Sequence, residues 1–97
     1  MDIHNQKLEN LSKSLRKAYV RVKVDSSIRR NYLRFRKELG EKFKLSKSGI
    51  FGYTELSSKG LDVNIFRGEK YWIFIVYGKA KVIDEFFDIF NKYFEGV

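Results

Sequence analysis

Residues 44–56, KLSKSGIFGYTEL, decide how the rest of the chain is read. As a helix they would follow a basic helix and complete a two-helix unit. As a strand from Ile50 to Leu56 they open a sheet. Tyr, Phe, Thr and Ile favour the strand, and Gly49 and Gly52 would each weaken a helix by roughly 1 kcal/mol relative to Ala. The expected fold uses the strand, with a helix over 49–56 as the alternative.

Downstream, Leu61–Phe66 and Tyr71–Tyr77 are again rich in β-branched and aromatic residues, and Ser-Ser-Lys-Gly and Arg-Gly-Glu-Lys separate the three runs. These tetrapeptides are turn chemistry, so the runs predict an antiparallel meander. YWIFIVY at 71–77 is apolar at every position, as expected of a central or covered strand. A helix is predicted over 81–95, with a wide apolar arc from Val82 to Phe94 and with Asp84, Asp88, Asn91 and Glu95 opposite.

Upstream, Ile28, Tyr32, Phe35, Leu39 and Phe43 recur every three or four residues and predict a helix over about 27–44. Arg30, Arg34, Lys37 and Lys44 project from its other side, flanked by Arg29 and Arg36 and interrupted by Glu41. Asp25, Ser26 and Ser27 offer oxygens to cap it. Before them Val20, Val22 and Val24 alternate with Arg21 and Lys23, the pattern of a half-buried strand. Leu8, Leu11 and Leu15 predict a first helix over 5–17. The sum is one small α+β domain spanning 1–97, in the order α-β-α-β-β-β-α, with a mainly antiparallel sheet and helices packed on one face. Within it, 1–18 is an N-terminal helix at the periphery, 19–47 a basic strand-helix segment, and 48–97 an aromatic meander with its C-terminal helix.

The charge is uneven. Net charge is +8, yet residues 1–48 hold 14 Lys/Arg against 5 Asp/Glu, and residues 49–97 hold 6 against 7. An excess confined to one half is the footprint of a polyanionic partner, which points to nucleic acid, DNA or RNA. The expected contacts are Arg21, Lys23, Arg29, Arg30, Arg34, Lys37, Lys44 and Lys47, where guanidinium forks and ammonium charges meet phosphate oxygens. The alternative is an interaction protein, homodimeric or with a different partner, that uses Trp72, Phe74, Phe87, Phe90 and Phe94 as its interface.

Catalytic chemistry finds little footing. There is no Cys, which removes disulfides, thiolate metal sites and thiol nucleophiles. His4 is the single histidine, too few for a His metal cluster. No glycine pattern matches a phosphate loop. A carboxylate–Mg²⁺ nuclease built on Asp25, Glu55 or Asp62 is the enzymatic exception to an expected non-enzyme without cofactor, metal or small-molecule substrate. Residues 1–14 lack the apolar run of a signal peptide, and the longest apolar run, Tyr71–Tyr77, is far short of a membrane span. A cytoplasmic chain without membrane contact is expected.

Three resemblances follow from these motifs. From Val20 to Leu56, RVKV, then DSS, then the basic helix, then KLSKSGIFGY opening a second helix, the chain resembles ribbon-helix-helix proteins. That family pairs strands from two protomers and inserts their side chains into the major groove, which implies Arg21 and Lys23 as readers beside Tyr19. The first helix is a few residues longer than that pattern, and Gly49 and Gly52 interrupt the second. LGEKFKLSKSGIFGY also resembles a helix-turn-helix with Leu39, Phe43, Leu45, Ile50 and Tyr53 in its core, Gly40 at the close contact and a following hairpin as a wing. Lys44 stands where that turn usually has Gly. Finally, the order helix, three strands, helix over 27–95 is similar to a double-stranded-RNA-binding domain, which implies phosphate contacts at Lys79 and Lys81.

Overall fold

The alternation of small or branched apolar residues with long polar ones over Arg16–Lys23 builds an edge strand, β1, whose two sides face different environments. Val22 is buried and Ala18 and Val20 half-buried on one side, while Lys17, Tyr19, Arg21 and Lys23 stand exposed on the other. The structure is a computed structural model that describes residues 15–96. The strand begins inside the stretch where the first helix was expected, so residues 16 and 17 are extended, and positions 5–14 lie outside the described residues.

Helix α1 spans Ile28–Phe43, close to the expected bounds. Its entry is not the expected cap. Asp25 Oδ1 accepts from the Ser27 backbone N–H at 2.9 Å and from the Ser27 hydroxyl at 2.8 Å, so Ser27 donates to the preceding turn; its Oγ accepts from the Asn31 side-chain amide at 3.3 Å and caps no backbone N–H of the helix. Those two hydrogen bonds, the hydroxyl's foremost, hold the Asp25 carboxyl below its ordinary range. The helix ends at Lys44, whose left-handed backbone (φ 53°) returns its N–H to the Gly40 carbonyl at 2.8 Å.

The stretch that follows is two strands, not one. β2 (Ser46–Ile50) and β3 (Tyr53–Ser58) pair in a hairpin around Phe51 and Gly52, and Gly52, at φ 79°, supplies the positive φ needed by the second residue of a type II turn. Gly49 is at φ 147°, where a Cβ would run into the Tyr53 carbonyl oxygen and sit 2.9 Å from Thr54 Cα. Only glycine fits that approach of strand to strand. Two glycines that weaken a helix thus make a hairpin, and the second helix required by both the ribbon-helix-helix and the helix-turn-helix resemblance is absent.

β4 (Leu61–Arg67) and β5 (Tyr71–Gly78) continue the meander, and α2 (Ala80–Tyr93) closes the chain. The strand order is β1-β5-β4-β3-β2, antiparallel at every step. Four strands separate the helices and β1 joins as a fifth, so the double-stranded-RNA-binding order is not the one adopted. β1's pairing with β5 occupies one side of the very strand that the ribbon-helix-helix resemblance would lend to a second protomer. A bridge from Gly96 to Val22 shields part of its other side. α1 carries the chain from one edge of the sheet to the other.

Both helices pack on the same face of the sheet, giving the expected α+β architecture. Phe35 of α1 lies at the centre, edge-on to Phe74 of β5 at 6.0 Å and to Phe86 and Phe90 of α2 at 5.6 and 5.9 Å. Edge-to-face contact sets the positive rim of one ring on the negative face of the next, adding to the area each buries. Trp72, Phe74, Phe90 and Phe94 are all buried in this cluster. Their expected role as a partner interface is corrected: these rings close the protein's own core, and of the five only Phe87 is partly rather than fully buried, packed against that core.

Candidate nucleic-acid interface

The geometry of α1 follows from its apolar spacing. With Ile28, Tyr32, Phe35 and Leu39 turned into the core, a rotation of 100° per residue sends Arg30, Arg34 and Lys37 outward, with Arg29 at the side. All four are exposed, as are Lys44 at the helix end and Lys47 in β2. Among the described residues, none of the six takes part in an ion pair. The pairs present involve other cations: Lys42 reaches Glu85 at 4.0 Å, and Lys92 reaches Glu38 at 2.5 Å. Acid partners therefore gather where α1 meets α2, and the outer face of α1 keeps its charge open. Glu41 is the one acid on that outer side.

Beside this face, the α1 helix stops short of the β2 edge. A groove of about 440 Å³ opens there, with Leu56 and Leu45 at its base and Arg36, Lys37 and Lys47 among its walls. Leu33 on its helix side is 64% exposed, unusual for a leucine with a core available. The groove thus combines an apolar floor with three cations and one carboxylate, Glu41.

No helix among the described residues packs against the other face of the sheet. Strand alternation and register place Tyr71, Ile73, Ile75 and Tyr77 of β5 next to Lys17, Tyr19, Arg21 and Lys23 of β1, with Phe66 of β4 and Tyr53 of β3 beyond. Tyr19 is 58% and Phe66 44% exposed. The Arg21 guanidinium lies 4.6 Å above the Tyr71 ring, and the Lys17 ammonium 5.8 Å from the Tyr77 ring. Tyr53 donates its hydroxyl hydrogen bond to Asn64 Oδ1 at 3.1 Å and packs against Phe66 at 4.9 Å. Burial, then the nearby Glu55 charge, pushes the Tyr53 phenol's pKa up, so it stays a donor.

The expected contact residues therefore fall on two surfaces. Arg29, Arg30, Arg34, Lys37, Lys44 and Lys47 belong to the helix side, and Arg21 and Lys23 to the open sheet face behind it. The structure does not bring the two groups together. Asp25, Glu55 and Asp62 are not gathered either, since no cluster of metal-ligating side chains occurs among the described residues. Lys79 and Lys81 flank the start of α2. No helix among the described residues is long and apolar enough to cross a membrane. Tyr71 and Tyr77 escaped the sequence reading because YWIFIVY hides its alternation behind an apolar residue at every position, Phe66 escaped it too, and Tyr19 entered only beside Arg21 and Lys23 in the ribbon-helix-helix resemblance. The polar side of β1 was the available signal, since Tyr19 shares it with Arg21 and Lys23. No protein-family model matches the chain, and no curated protein or solved structure matches it either.

Proposed function

We propose that this protein is a small, non-enzymatic nucleic-acid-binding protein that grips phosphates with the outer face of α1. One observation carries the reading. Arg30, Arg34 and Lys37 stand exposed on a single helix face, with Arg29 at its side and Lys44 and Lys47 at its end, all six outside the ion pairs formed by the described residues. A surface that only kept the protein soluble would mix its signs, as α2 does with Lys81, Asp84, Asp88 and Lys92. Cations held on a rigid helix keep their spacing when phosphate arrives, so little order is lost on binding. The groove wall adds Arg36 to the same side.

Phosphate contacts of this kind read charge before sequence, so the expected binding is general and falls with salt. Titration of labelled DNA and RNA, each single- and double-stranded, tests it. At low salt at least one should bind at micromolar concentration. Should none bind more tightly than about 100 µM, weaker than ordinary non-specific association, the reading is wrong.

A further inference from the structure

We infer that the open face of the sheet is a stacking platform for the bases of single-stranded nucleic acid, with β1 as its phosphate rail. The inference rests on the nucleic-acid reading above and adds the class of strand. It starts from the placement of rings. Tyr19 and Phe66 are large apolar surfaces left in solvent on a face where Ile73 and Ile75 sit half-covered between them. Apolar area of this extent marks a place where something binds.

Charge selects the occupant. Lys17, Arg21 and Lys23 project from the same side of β1, about 13 Å and 7 Å apart along the strand. Those intervals suit two steps and one step of phosphate along an extended polynucleotide. Asp62 and Glu55, the acids of this face, stand on β4 and β3, across β5 from that rail, and so confine an anionic strand to the β1–β5 half.

The stacked pair of Arg21 and Tyr71 sharpens the assignment. At 4.6 Å from the ring, the guanidinium is held against its aromatic partner by cation–π attraction. A planar cation so placed offers its outer side to a base, as Tyr19 and Phe66 offer their ring faces. Paired bases expose only their edges in the grooves of a duplex, whereas an unpaired base exposes the flat surface these groups fit. The open face therefore takes single strands, and α1 takes phosphate from either form.

Tyr19→Ala/Phe66→Ala removes two exposed rings and leaves the core intact. Affinity for an oligothymidylate of roughly 12 nucleotides and for a duplex of the same length is compared with the Arg30→Glu/Arg34→Glu variant as reference. The ring variant should lose roughly tenfold per ring on the single strand and little on the duplex, while the helix variant weakens both. If no nucleic acid binds the wild-type chain, the functional reading fails and takes the inference with it. If nucleic acid binds but ring removal leaves single-strand affinity unchanged, the inference alone is overturned. Sedimentation then tests a second copy as the occupant, which predicts a dimeric wild type and a monomeric variant.

Discussion

The ammonium of Lys92 lies 2.5 Å from Oε2 of Glu38, and the hydroxyl of neighbouring Tyr93 donates to Oε1 at 2.7 Å, so the last turn of α2 clasps the middle of α1. The bond from Lys92, then that from Tyr93, holds the Glu38 carboxyl below the ordinary 4.5. A carboxylate with a depressed pKa stabilises the fold fully above its unfolded value, and the contribution fades as pH falls through the folded one. Lys92 and Tyr93 are raised by the same contact, so their part is lost only at strongly alkaline pH. Thermal unfolding as the pH is lowered past 4.5 should show the wild type losing stability faster than Glu38→Gln. Parallel profiles would remove the clasp from the account.

Two glycines should respond in opposite directions. Gly40 is inside α1 with open space where a Cβ would point, so Gly40→Ala should stabilise by about 0.5–1 kcal/mol. Gly49→Ala places a methyl against the β3 backbone and should cost more than about 1 kcal/mol. Urea denaturation of the two variants measures both signs.

Lys44 combines a left-handed backbone with a place on the basic face. Lys44→Gly should relieve the backbone and stabilise by about 0.5–1 kcal/mol, because a side chain at positive φ costs more than the freedom glycine loses on folding. The same change removes one cation and should lower nucleic-acid affinity. Stability and binding would then move in opposite senses, which a purely structural role for Lys44 does not predict.

Phe35 has no exposed surface and touches five other aromatic rings. Phe35→Ala should cost about 3–5 kcal/mol, a large part of a small domain's stability. Tyr32, one turn earlier, is buried with a hydroxyl that has no hydrogen-bond partner among the described residues. Tyr32→Phe should therefore be neutral or stabilising in the same assay.

The helices were legible in sequence to within a residue or two, because each shows one apolar stripe against polar residues at a period only a helix satisfies. The meander was legible from Leu61 onward for the same kind of reason, a run of β-branched residues closed by a turn. β2 was missed because SKSGI carries no apolar alternation: it is an edge strand, exposed along its whole length, that pairs with β3 through its backbone. Residues 16 and 17 were drawn into a helix by Leu8, Leu11 and Leu15, whose spacing competed with the alternation starting at Lys17.

The site was half legible. The basic stripe of α1 could be found by rotating a helix at 100° per residue. That Arg21 and Lys23 lie on the far side of the sheet could not, because their facing depends on which side of β1 the helices cover. The core aromatics looked like surplus for the same reason. Until α1 and α2 are placed together, nothing shows that Phe35 needs Phe74, Phe86, Phe90 and Phe94 around it.

The most direct test is the salt dependence of nucleic-acid affinity for the wild type and for Arg30→Glu/Arg34→Glu. If about five cations on the α1 side neutralise phosphates, log affinity should fall against log salt with a slope near −4 to −5. The double reversal should bind more weakly at low salt, with a slope shallower by about 2. An affinity and a slope that both match the wild type would show that the outer face of α1 does not meet phosphate.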